Sequence, residues 1–457
     1  MAAFMRMLRV PRSAAYHLRR EEPSDDTGNG PAGGSEFCEG GAVSKQAIVV
    51  GGGVIGVAAA HYLNLSGWQV TLIERGEIGQ GCSYANACLI VPSHAAPLPG
   101  PGVLPQAARW LLRPDSPVYV RPRLDGGFLD WSRRFLRACS AKAARSGTDA
   151  LRGAGAAGLA LFDELVSMWR LEFGYARRGL LNVFVTEEGF ARAAHERERL
   201  QRAGIRARVL LREEALAFEP ALSPRIVGGL YAEGDAHGDS YAYVHALAVS
   251  VQSRGVRIVT GRPVRRLLAR AGRVEGIVAR NPDERIPADL VVLAAGAWTP
   301  ALLAPLGVRF PLQPAKGYSC TVSGYRRPPS VPLFVEERRV AITPLGDRLR
   351  IGGTLELAGY RPGINERRYQ AVVRAAQEVL ADPPDAGRGE AWMGYRPLMA
   401  DGLPVIDRVP GIDGLIVAAG HGTLGFTLSP ITGRLVADLA EGRPPAVPLA
   451  PFRFSRF

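Results

Sequence analysis

The segment that most constrains this chain is Gly51-x-Gly53-x-x-Gly56, which lies between a short apolar run at 47–50 and a helix-compatible stretch at 57–65. The apolar run is of buried-strand type. Gly67 supplies a stop signal after the helix, and the alternating residues 68–74 (WQVTLIE) read as a second strand. Together they make one complete strand–turn–helix–strand unit. The first glycine permits the tight turn, the second lets a pyrophosphate approach the backbone, and the third lets helix pack on strand. The helix N-terminus adds partial positive charge. Glu74 ends the second strand 18 residues after Gly56. An acid there accepts both hydroxyls of a ribose and repels a 2′-phosphate, which disfavours NADP and leaves NAD or FAD.

Composition bounds the rest. At roughly 100–200 residues per domain, 457 residues hold two or three cores. With 47% hydrophobic and 22% charged residues, the balance is that of a soluble globular protein. No apolar run reaches the ~20 residues of a membrane span, and the nearest, 47–63, is broken by three successive glycines. The net charge of +13 arises from 53 Arg against 3 Lys, a ratio that points to GC-rich coding. No nucleic-acid reading module accompanies it, so no nucleic-acid partner is expected. Cys38, Cys82, Cys88, Cys139 and Cys320 form no C-x-x-C and no metal-ligand spacing. Reduced thiols, no metal and a cytoplasmic setting are therefore expected. Residues 1–44 carry a basic stretch (Arg6, Arg9, Arg12, Arg19, Arg20) and then a segment rich in Gly, Ser, Asp and Glu. This reads as a disordered extension, as from an upstream start codon, and it lacks the apolar core of a secretory signal.

Further along, 155–173, 188–203, 245–254 and 366–380 read as helices, and 180–186, 208–211, 256–260 and 289–294 as strands. Strands then dominate at 318–322, 333–337, 340–344 and 348–355, with a last buried strand at 415–419. Parallel-type buried strands flanking a block of antiparallel-type strands predict an α/β nucleotide domain that carries a second, inserted domain. Two segments favour FAD over a transient NAD: 286–300 (IPADLVVLAAGAWTP) and 415–424 (LIVAAGHGTL), each a strand ending in a glycine turn. A helix expected to begin near Gly422 would aim N–H groups at an electron-rich ring.

Residues 51–75 and Gly81-Cys82-Ser83-Tyr84-Ala85-Asn86-Ala87 resemble the opening of the FAD-dependent D-amino-acid dehydrogenases, within the D-amino-acid oxidase, glycine oxidase and sarcosine oxidase superfamily. The resemblance continues through Pro314-Ala315-Lys316-Gly317-Tyr318-Ser319, residues 339–357, Met393-Gly394-Tyr395-Arg396-Pro397 and Gly420-His421-Gly422-Thr423-Leu424-Gly425. It implies a Rossmann-like FAD-binding domain with an inserted antiparallel-sheet α+β substrate domain. FAD binding is expected from 45–92, 216–310 and 391–445, the substrate domain from 93–215 and 311–390, and a C-terminal tail from 446–457. The implied reaction is oxidative deamination of D-amino acids to 2-oxo acids and ammonia, by hydride transfer from Cα to flavin N5. A quinone or other carrier takes the electrons.

The resemblance places the substrate carboxylate on Arg396, whose planar guanidinium binds a carboxylate bidentately. Lys316 and Tyr318, two apart on a strand and so on one side of it, are expected at the substrate pocket. Lys316 is one of only three lysines in an Arg-rich chain. His94 is a further pocket candidate. Non-covalent FAD contacts are expected from Gly51, Gly53, Val54, Ile55, Gly56, Glu74 and Arg75, and from Ser83, Asn86, Ala87 and Val264. The turns Ala295, Gly296, Trp298 and Gly420, His421, Gly422, Thr423, Leu424 complete the set. A transient-NAD dehydrogenase, a glycine, sarcosine or proline-type substrate, and a non-catalytic flavin subunit are the alternatives. Residues 109–145 hold eight Arg and one Lys against three Asp, interleaved with Trp110, Tyr119, Phe128, Trp131 and Phe135. This basic aromatic stretch suggests peripheral contact with an anionic membrane, at the inner face of the cytoplasmic membrane.

Overall fold

In the computed structural model, which describes residues 45–111, 115–279 and 284–457, the strand Gln46–Val50 is the centre of a six-stranded sheet. The extension expected at 1–44, with Cys38, lies outside the described residues. Leu290–Leu293 pairs parallel to this strand on one side and Gln69–Ile73 on the other. The full order is Val405–Arg408, Leu415–Ala419, Leu290–Leu293, Gln46–Val50, Gln69–Ile73, Arg257–Val259, with only the first pair antiparallel. Chain connections leave Gln46–Val50 in opposite directions on its two sides, which opens a crevice at its carboxyl end.

Side-chain alternation gives this sheet two apolar faces. Ala47, Val49, Leu72 and Val292 join one core with the helices Val54–Leu65, Ala141–Trp169, Ser240–Gln252 and Ser429–Glu441. Ile48, Val50, Ile73, Val291 and Leu293 join another, covered by the three-stranded antiparallel sheet Val264–Arg270, Arg273–Ala279, Glu284–Pro287.

A nine-stranded mixed sheet forms the second layer. Its order is Gly389–Met399, Leu312–Ser323, Arg348–Leu357, Val340–Leu345, Leu333–Val335, Leu180–Phe184, Gly228–Ala232, Ala207–Leu211, and Val118–Val120 adds to Arg348–Leu357. One face packs on the helix Glu366–Val379 through Tyr318, Cys320, Leu333, Ile342 and Ile351. The other turns Gly317, Phe334, Ala341 and Asn182 towards a cavity.

The expected α/β architecture is present, with four differences. Gly389–Met399, expected with the nucleotide domain from 391, pairs along Leu312–Ser323 from Leu312↔Met399 to Val322↔Gly389. Gly228–Ala232 likewise belongs to the large sheet. The helix expected from 155 begins at Ala141. Gly155 and Gly158 pack it close against Pro92 and Thr427, where a Cβ on Gly158 would stand 2.6 Å from the Thr427 carbonyl oxygen. The helix expected near Gly422 begins only at Ser429, because 421–428 form successive turns. Its N-terminus therefore does not start at the glycine turn.

Helices Val54–Leu65 and Ser429–Glu441 meet at Gly433, where a Cβ would lie 2.5 Å from the Ala58 carbonyl oxygen and 2.6 Å from its carbon. Gly433→Ala should therefore push the two helices apart, at a cost of about 1–3 kcal/mol. Urea denaturation of the FAD-loaded protein reads this as a lowered midpoint with unchanged slope.

Candidate active site

The crevice at the end of Gln46–Val50 opens into a cavity of about 1880 Å³. That is larger than an ordinary small-molecule pocket and compatible with a dinucleotide together with a substrate. Gly51, at φ +112°, takes a backbone conformation closed to side chains, and any Cβ on it would meet the Ala294 carbonyl. Gly53, Val54 and Ile55 line the cavity behind it. Gly56 does not: a Cβ there would overlap the Gly51 carbonyl, so its task is packing alone. Glu74 accepts the Gly52 N–H through Oε2 at 2.7 Å and the Gly76 N–H through Oε1 at 2.9 Å. Ser83 Oγ accepts the Val54 N–H at 3.0 Å, fixing the first turn of the helix against the 81–87 loop. Arg75 lies 3.5 Å over the Trp298 ring, and both line the cavity together with Asn86, Ala87, Val264, Ala295 and Gly296.

At the other glycine turn, His421, Gly422, Thr423 and Leu424 line the cavity. Gly420 does not; at φ +89° it packs on Met399. His421 is buried, its Nε2 is 3.0 Å from Thr432 Oγ1, and its Nδ1 has no partner. Burial pushes its pKa down to about 3, so the ring is neutral at physiological pH. A glycine cradle, an acid at the end of the second strand and an unpartnered buried ring nitrogen fit a bound FAD.

Arg396 projects from Gly389–Met399 into the cavity. Its Nη1 donates to the Thr354 carbonyl, and its Nη2 to the Gly353 carbonyl at 3.4 Å. Burial lowers its pKa, and the neighbouring Cys82 thiol opposes that shift. The Cys82 thiol itself is pushed up to about 12 by burial and donates to the Tyr395 carbonyl at 2.7 Å, so it stays protonated. No carboxylate pairs with Arg396 among the described residues. A guanidinium held this way has the donors and the charge to receive an external anion.

Lys316 and Tyr318 share one side of their strand, but it is the side facing Glu366–Val379. Lys316 does not line the cavity. Its Nζ is 2.9 Å from Glu356 Oε1 and donates to the Gly363 carbonyl at 3.2 Å. The Tyr318 hydroxyl donates to Glu356 Oε2 at 2.6 Å and accepts the Asn365 N–H at 3.2 Å, and burial raises its pKa. Tyr318 reaches the cavity lining, yet its hydroxyl is committed to this buried network. The pair thus anchors the loop 358–365, whose Tyr360 hydroxyl donates to the Ala297 carbonyl. The compact ammonium fits between a carboxylate and a carbonyl, which is what a lone lysine in an Arg-rich chain supplies.

His94 does line the cavity, with its ring 4.3 Å from Phe334. Burial, aided by Arg339, pushes its pKa down to about 4. Phe334, Asn182, Gly353 and Thr354 are lining residues that sequence reasoning missed. Asn182 and Phe334 alternate with core residues on their strands, and that alternation was the available signal. Among the described residues no cluster of His, Cys, Asp and Glu could hold a metal.

His61, His94, His237 and His421 all have pKa values lowered by burial, to between about 3 and about 4. Between those values and 6.5 the unfolded chain binds protons that the folded one does not, so stability is full above pH ~6.5 and falls with acid. The slope per histidine approaches about 1.4 kcal/mol per pH unit. His421→Gln should make the loss of denaturation free energy between pH 7 and pH 5 shallower than in the parent.

The model of the DAO family, FAD dependent oxidoreductase, matches residues 46–439. A D-amino acid dehydrogenase of Paramagnetospirillum magneticum is 36% identical over 419 residues, covering 90% of this chain and 99% of that protein. One from Allorhizobium ampelinum is 35% identical over 420 residues, covering 90% and 98%. Among solved structures, glycine oxidase from Geobacillus kaustophilus superposes with a TM-score of 0.70 at 26% identity, covering 91% of this chain and 100% of its own. The chain belongs to the DAO family of FAD-dependent oxidoreductases.

Proposed function

We propose that this enzyme oxidises D-amino acids to 2-oxo acids and ammonia and passes the electrons to a quinone or another carrier. The observation that carries the reading is Arg396, a guanidinium in the cavity that is bonded to two carbonyls and to no carboxylate. Binding the substrate carboxylate there supplies the missing counter-charge and fixes Cα in one orientation. FAD, when bound, supplies the two-electron acceptor for the Cα–H bond. The substrate amine enters neutral and loses a proton as the C=N bond forms. Water then converts the imino acid to the 2-oxo acid and ammonia. His94 and Phe334, a neutral ring against an aromatic one, offer the substrate side chain an apolar wall. Glu74, Ser83 and the glycine turns hold the non-covalent cofactor, consistent with Cys82 being held as the thiol.

Anaerobic titration of the yellow protein tests this. D-amino acids should bleach the flavin band, and Arg396→Ala should weaken that response by about 100-fold or more through KM, in line with the loss of a charge-assisted bidentate pair. Bleaching by sarcosine, glycine or proline derivatives alone would move the assignment to secondary or unbranched amines.

The contact with the electron acceptor is proposed at the helix Gly126–Ala138. Phe128 and Trp131 turn inward and are buried, so the aromatic rings are not the exposed element expected from the sequence. Leu129 and Leu136, 51% and 54% exposed, share the outer face with Arg133 and Arg137, and Leu124 beside them is 92% exposed. Leucines set among arginines suit an anionic lipid surface. No helix among the described residues is long and apolar enough to cross a membrane. Co-sedimentation with phosphatidylglycerol vesicles should be lost in Leu129→Glu/Leu136→Glu, and neutral phosphatidylcholine vesicles should not bind the parent.

A further inference from the structure

We propose that Gly317 and Thr354 are positioning residues for Arg396, one by lacking a Cβ beneath the guanidinium and the other by presenting its carbonyl from a left-handed backbone. The inference rests on Arg396 as the anchor of the substrate carboxylate.

Three adjacent strands build the device. Leu312–Ser323 pairs with Gly389–Met399 on one side, in register Ala315↔Arg396 and Gly317↔Gly394, and with Arg348–Leu357 on the other. From Gly389–Met399, Arg396 reaches over Gly317 on the middle strand to the Gly353 and Thr354 carbonyls of Arg348–Leu357, the third. A Cβ on Gly317 would overlap Cζ and both Nη atoms of that guanidinium. Gly317 is not among the glycines of positive φ, so what this position requires is space and not a special backbone conformation.

The third strand departs from regular pairing at the same place. Lys316 pairs with Glu356 but Tyr318 with Gly353, so one extra residue is inserted opposite Gly317. Thr354, inside this bulge, has φ +62°, a conformation that a β-branched side chain rarely adopts. The carbonyls of Gly353, at the edge of the bulge, and of Thr354, inside it, both accept from Arg396. Such strain persists only where the surroundings hold it. Here the Glu356–Lys316–Tyr318 network clamps the strand from the opposite face.

The choice of carbonyls has a chemical consequence. A carboxylate in their place would orient the guanidinium equally well, but it would neutralise the charge and compete with the substrate. Carbonyls fix the orientation of the guanidinium and leave its positive charge available to the substrate.

Gly317→Ala in the FAD-loaded enzyme tests the space requirement. The KM for the D-amino acid that best bleaches the flavin should rise at least tenfold, and inhibition by acetate, a minimal carboxylate, should weaken in parallel. The kcat should change less than threefold, with FAD content as in the parent. In an Arg396→Ala background the same change should alter KM less than twofold, because nothing remains to be displaced. Thr354→Gly, which adopts φ +62° freely, should keep KM within threefold of the parent. A parental KM in Gly317→Ala, an equal penalty with and without Arg396, or loss of FAD would overturn the role of Gly317. A tenfold KM rise in Thr354→Gly would overturn the carbonyl role by placing it in the side chain. A parental KM and acetate inhibition in Arg396→Ala would instead sink the carboxylate assignment itself.

Discussion

Everything in this structure is hung on the close approach of backbone to backbone at the carboxyl end of Gln46–Val50. Gly51 abuts the Ala294 carbonyl, Gly56 abuts the Gly51 carbonyl, and Glu74 ties the turn down by accepting the Gly52 N–H. Three strands and one helix are thereby drawn together within the thickness of a missing side chain. A dinucleotide needs a surface of N–H groups that it can touch without meeting a Cβ, and this packing creates one. At the second glycine turn the neighbour is a side chain: Gly420, at φ +89°, packs on Met399.

The larger sheet separates two tasks by the alternation of its side chains. One face is dry and packs on Glu366–Val379. The other lines the cavity, and its polar groups, Arg396 among them, are exposed to whatever fills it. A strand with function on one face and core on the other keeps its register strongly, since a slip of one residue would exchange the two sets. The bulge at Thr354 is the one place along Leu312–Ser323 where that register is broken, and it lies beside the guanidinium.

This division explains what was legible in the sequence. The nucleotide turn could be read because its constraint is local: strand, glycines and acid fall within a few turns of chain. Gly51, Gly53 and Glu74 stand where the spacing put them. Arg396 could be found only by its motif, among many other arginines. Lys316 and Tyr318 were placed on the same side correctly, but periodicity alone cannot say which side of a strand faces a cavity, and theirs is the dry side. Thr354 gave no signal, because a left-handed β-branched residue in a bulge depends on three strands meeting. The late start of Ser429–Glu441 was hidden for a similar reason: the turn at 421–422 is held by Pro397 and Leu398, outside any local window.

The electrostatics of the cavity follow from what is left unpaired. In a chain this rich in arginine, most guanidinium groups meet a carboxylate or water, and a positive group in a cavity is costly unless something compensates it. Arg396 has carbonyl dipoles as partners, and burial lowers its pKa. His94 and His421, which line the cavity, are kept neutral by burial, so they add no positive charge to it. Among the described residues Arg396 has no carboxylate partner, and neither has Arg75, which lines the same cavity stacked on Trp298.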